Sequence, residues 1–161
     1  MKRWLICGLL GAAALFAGAL PFESRDVGTL RPVKTLLVSV DAGVGITADT
    51  GDRGTGETWA QAVENLRQTA PGKAFFGTGG YLLLTPEAEA LLPEILADGT
   101  LRAACGVCLV WGTPDLDEAG AFLDAHRPET SINTVRAALG AGESASLPVL
   151  WEREGRLTLE S

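Results

Sequence analysis

The stretch Gly51-Asp52-Arg53-Gly54-Thr55-Gly56-Glu57-Thr58 has the glycine and threonine spacing of a phosphate-binding loop, set between an apolar, β-branched run and an amphipathic one. Such a loop holds the β- and γ-phosphates through backbone N–H groups and a lysine. Glu57 stands where that lysine belongs and would repel them. The stretch therefore reads as a capping loop, and no nucleotide is expected. Cys105-Gly106-Val107-Cys108 has the spacing of a redox motif. Thiol exchange wants the first cysteine at a helix N-terminus, where the dipole lowers its pKa. Here the pair falls in an apolar run read as a strand, where residues three apart face opposite ways at roughly 10 Å between Cα atoms, too far to bridge. His126, the only histidine, follows the end of a helical pattern and suits the terminal carbonyls better than catalysis or zinc. Asp115, Asp117 and Glu118 form an acidic group, but in a helix's first turn, where carboxylates are favoured anyway. No nucleophile elbow with Ser, His and Asp is present. No catalytic, metal-binding or cofactor-binding residue is assigned, and no enzymatic activity is expected. Trp59, Trp111, Trp151, Phe75, Phe76 and Tyr81 could form an aromatic surface, yet each falls where core packing explains it, and core is the preferred reading.

The elements that would position these residues follow from periodicity. Val33 to Val40 is a strand, Asp41-Ala42-Gly43 a turn, and Val44 to Ala48 a returning partner, with Asp49 to Gly56 a loop. Trp59, Ala62, Val63, Leu66 and Ala70 recur at helical spacing, with Thr55 as cap and Glu57 in the first turn. Ala74 to Phe76 and Gly80 to Leu84 are extended, the latter apolar enough for a central strand. Thr85-Pro86-Glu87 starts a second helix over Pro86 to Ala97, closed by Gly99, and Leu101 to Trp111 is the next strand. Thr113-Pro114-Asp115 repeats the start signal for a third helix, and Ser131 caps a fourth, Ile132 to Leu139. Leu147 to Trp151 and Arg156 to Leu159 are strands around Glu154-Gly155. Alternation of strands and helices after an initial hairpin predicts an α/β (α+β) domain, a mixed sheet with about four helices packed on it.

Lys2 and Arg3 precede an uncharged apolar run from Trp4 to Leu20, which is an export signal. It is slightly short for a membrane helix, so residues 1–20 are read as a signal peptide cleaved near Ala19 or as an N-terminal membrane anchor over residues 4–20. Residues 21–31 form a connector and residues 32–161 a single globular domain at the extracytoplasmic face. Twenty acidic against thirteen basic residues give a net charge of −7, which supplies no electrostatic drive toward nucleic acid. Of three cysteines, Cys7 lies in the export segment, and the other two do not make a disulfide scaffold.

In this order the residues resemble the N-terminal domain of the Ger(x)C family, the C subunits of spore germinant receptors. Arg25-Asp26-Val27, the hairpin around Asp41, and Gly56-Glu57-Thr58 followed by Ala62 and Leu66 are similar to that family's opening and first helix. Lys73 to Gly77 with Tyr81 to Leu84 resembles its Phe-Gly turn and buried strand, and the late Leu147-Pro148 turn continues the family order. The resemblance implies a non-enzymatic, membrane-associated component of sporulation and germination. Its partners would be other germinant receptor subunits or membrane proteins of the spore, at the spore inner membrane. Family members are usually lipoproteins, but Ala19 occupies the place of the modified cysteine, so no lipidation is expected. Two alternatives stand beside it: an extracytoplasmic thiol-redox protein using Cys105 and Cys108, motivated by their spacing, or a small-ligand-binding sensor, for which no pocket residue can be named.

Overall fold

The computed structural model describes residues 30–161; the expected export segment, Ala19 and Arg25-Asp26-Val27 lie outside the described residues. The fold is α/β. In chain order its elements are β1 (Leu30–Pro32), β2 (Thr35–Val40), β3 (Val44–Ala48), β4 (Arg53–Gly56), α1 (Trp59–Thr69), β5 (Lys73–Phe75), a 3₁₀ turn (Phe76–Thr78) and β6 (Tyr81–Leu84). A second 3₁₀ turn (Pro86–Leu91), α2 (Leu92–Asp98), β7 (Gly106–Trp111), α3 (Leu116–Ala125), α4 (Ile132–Gly140), β8 (Val149–Arg153) and β9 (Arg156–Glu160) complete it. β1 includes Leu30 and Arg31, two residues that the sequence places in the connector.

A strand that is apolar at every position has to be covered on both faces. Tyr81–Leu84 is buried at all four positions, and β6 accordingly lies at the centre of a seven-stranded sheet ordered β4-β3-β2-β6-β7-β8-β9. β2, β6, β7 and β8 run parallel, while β3, β4 and β9 are added antiparallel by hairpins. β1 and β5 form a separate parallel pair. Alternation along each strand divides the core in two. On the first face Leu36, Val38, Ile46, Leu82, Leu84 and Val107 meet Trp59, Leu66, Ile95 and Val135 from α1, α2 and α4. On the second face Leu83, Cys108, Val110 and Leu150 meet Ala119 and Leu123 of α3 alone.

Five expectations are corrected. The expected loop Asp49 to Gly56 ends in a strand, β4, which pairs with β3. Glycine conceals it: a Cβ on Gly54 would stand 2.2 Å from the Ala62 carbonyl oxygen, so the bare backbone is what lets α1 lie against the strand. The cap of α1 is Thr58, whose hydroxyl accepts from the Gln61 N–H, and Glu57 precedes the first turn. The second helix does not run unbroken from Pro86. Pro93 lacks the N–H that would bond back to Glu89, so a 3₁₀ turn forms first and α2 begins at Leu92, with no capping bond from Thr85. The strand expected over Leu101 to Trp111 starts at Gly106, the partner of Tyr81, because β6 offers no ladder partner upstream. The third helix is capped by Asp115 and not by Thr113, and the fourth by Ser131 as expected.

Candidate functional site

The phosphate-loop-like stretch forms the β3–β4 turn, β4 and the entry to α1. Its backbone donors are already engaged: the Thr55 N–H bonds Asn65 Oδ1 and the Glu57 N–H bonds Gln61 Oε1. These α1 side chains occupy the N–H groups that would otherwise cradle an anion. Cys105 and Cys108 point to opposite faces of the sheet, Cys105 into the core under α1, α2 and α4 and Cys108 into the core under α3. Cys105 itself precedes the strand. Burial pushes both thiols up to about 12, so neither is a thiolate near neutrality.

His126 follows α3, with Nδ1 3.1 Å from the Phe122 carbonyl oxygen and its ring stacked on Phe122 at 4.3 Å between centroids. Asp115 Oδ1 accepts from the N–H groups of Asp117 and Glu118, a capping arrangement. Among the described residues, no three His, Cys, Asp or Glu side chains converge as a metal set.

The aromatic residues divide. Trp59, Phe76 and Tyr81 are buried, whereas Trp111 is 48% exposed and Phe75 42%. The reading of all six as core is corrected at these two positions. Trp111 and Trp151 are register partners on β7 and β8 and stack at 5.5 Å on the first face, with the Arg153 guanidinium 4.5 Å from the centroid of the Trp151 ring. The Trp151 N–H donates to Glu160.

Two hollows open toward the second face. The larger, about 790 Å³, is an open groove over the β2–β4 meander, lined by Ser39, Gly45, Thr47, Arg53 and Thr55 among others. Its lining mixes small residues with the exposed Arg53, Glu57 and Gln61, and among the described residues no buried polar side chain lines it. The smaller, about 410 Å³, lies at the N-terminal ends of β6 and β7 and collects Lys34, Tyr81, Arg102, Asp124, Arg127 and Ser131. Lys34 Nζ pairs with Asp124 Oδ2, and the Tyr81 hydroxyl donates to Asp124 Oδ1 at 2.9 Å. Burial, then the hydrogen bond to Asp124, pushes Tyr81 up to about 12. The Lys34 hydrogen bond, then that of Tyr81, holds the Asp124 carboxyl below its ordinary value.

Of these cleft residues, Lys34, Arg102, Asp124 and Arg127 were singled out by no sequence pattern, while Tyr81 was read as core and Ser131 as a helix cap. Lys34 and Asp124 are 90 positions apart and meet only because β2 and β6 are neighbours while α3 packs back over them. The one local signal is Tyr81, a hydroxyl opening an otherwise aliphatic strand. No family model, curated protein or solved structure matches the chain. Among the described residues, no helix is long and apolar enough to cross a membrane.

Proposed function

We propose that this chain is a non-enzymatic, membrane-associated component of spore germination, which acts by binding other subunits as a Ger(x)C-like C subunit does. The observation that carries the reading is the β4–α1 junction. Of the residues behind the resemblance there, Gly56 is one whose size the packing dictates, and Ala62 and Leu66 are wholly buried. A Cβ on Gly56 would lie 2.6 Å from the Ala62 nitrogen, and one on Gly54 would lie 2.6 Å from Leu66 Cβ. A sequence pattern set by close packing is a better guide to shared architecture than one set by surface residues. The resemblance supplies the biological role, and the raised thiols favour a binding role over thiol exchange.

The test is when and where the protein is made. A fluorescent fusion should accumulate in the developing spore and fractionate with spore membranes. Expression restricted to vegetative cells, or a fusion found only in the cytosol, would defeat the proposal. The small-ligand reading also has an observation in its favour, the cleft around Tyr81.

A further inference from the structure

The cleft at the N-terminal ends of β6 and β7 holds more positive charge than the fold uses. Three cations, Lys34, Arg102 and Arg127, line it against one carboxylate, Asp124, in a chain whose net charge is −7. Asp124 is already answered, since Lys34 and the Tyr81 hydroxyl take one oxygen each. The two arginines are left over. Arg102 donates Nε to the Gly79 carbonyl at 2.7 Å, which anchors one edge of the guanidinium. Its terminal nitrogens have no hydrogen-bond partner among the described residues, and Arg127 has neither a hydrogen bond nor an ion pair among them.

Backbone donors add nothing here: the N–H groups of Gly80 and Tyr81 bond the Lys34 carbonyl, and that of Gly106 bonds the Gly80 carbonyl. Both arginines bear on the same hydroxyl, each opposing the rise at Tyr81, and Arg127 also helps lower Asp124. Like charges gathered around one hollow repel unless an anion stands between them. The guanidinium fork matches the oxygens of a carboxylate or a phosphate. A volume of about 410 Å³ is in the range of small-molecule sites.

We propose that this cleft binds a small oxyanion, a carboxylate or a phosphate, between Arg102 and Arg127. The site does not depend on the germination reading and would stand if that reading fell. Tyr81 is the only tyrosine in the chain, so fluorotyrosine labelling of the full chain gives a single ¹⁹F resonance inside the cleft. Titration with inorganic phosphate and, separately, with acetate at low ionic strength should move that resonance saturably. The tighter of the two identifies the source of the oxyanion. Arg127→Gln and Arg102→Gln should each weaken binding about tenfold, the effect of losing a charge-assisted hydrogen bond. Arg156→Gln, on β9 at the sheet edge, should leave it unchanged. Both cleft arginines are exposed, so these variants are expected to fold. No saturable shift with either anion, or equal weakening by Arg156→Gln, would overturn the proposal.

Discussion

The two faces of the central sheet are closed by different means. Over the first, α1, α2 and α4 lay down a broad apolar cluster in which Trp59 is wholly buried. Over the second, α3 stands alone, and its reach ends where Ser39, Gly45, Thr47, Arg53 and Thr55 begin to line an open groove. Polar side chains from distant parts of the chain are gathered where α3 stops, at the cleft of Tyr81, Asp124 and Arg127. The thiols, one under each face, are equally sequestered, while the accessible polar chemistry belongs to the less covered side.

Alkali acts on both faces together and should have the largest effect. Cys105 and Cys108 are raised from 9.0 to about 12, and Tyr81 from 10.0 to about 12. Above pH 9 the unfolded chain releases these protons while the folded one retains them, so their contribution, full below pH 9, is lost as pH rises toward 12. Denaturant midpoints should fall steadily over that window. Both thiols should resist alkylation in the folded protein at pH 8, and rapid modification of either would break the symmetry of the two cores.

Core truncation sharpens the contrast. Trp59→Ala on the first face should cost about 3–5 kcal/mol and Leu123→Ala on the second about 2–4 kcal/mol, measured by chemical denaturation. A Leu123→Ala cost above about 4 kcal/mol would mean that the single helix α3 anchors its face as firmly as three helices anchor theirs. Glycine substitutions come next. Gly54→Ala drives a methyl into the backbone of α1, whereas Gly120→Ala meets only the Thr35 hydroxyl, 2.5 Å from the new Cβ. The first should cost about 2–3 kcal/mol. The second should cost less than about 1 kcal/mol, because alanine's helix propensity offsets part of the overlap. Asp115→Ala, which removes the cap of α3, should cost about 1 kcal/mol. Smallest of all, Trp111→Ala should change stability by roughly 0.5 kcal/mol, since the half-exposed ring loses mainly its stack on Trp151.

Much of the fold was legible. The hairpin at Asp41, the central strand Tyr81–Leu84, the helix capped by Ser131 and the final turn at Glu154-Gly155 are where local pattern puts them, the last with positive φ at both residues. β4 was hidden because its glycines answer to a helix packed on them, a tertiary demand that local propensity does not register. The break before α2 was written in Pro93 and masked by the apolar spacing around it. Trp111 and Phe75 were read as core because an aromatic residue in a strand says nothing about whether a helix covers it. The cleft was illegible for a plainer reason: Lys34, Arg102, Asp124 and Arg127 look like ordinary surface charges until the sheet order brings them together.

That the chain works by binding other subunits is a proposal open to direct test. The most direct measurement is affinity capture of the full chain from detergent-solubilised spore membranes after chemical cross-linking, with the captured proteins identified by mass spectrometry. Germinant receptor subunits should be recovered in amounts comparable to the chain itself. Recovery of the cross-linked chain with no germination protein attached would contradict it.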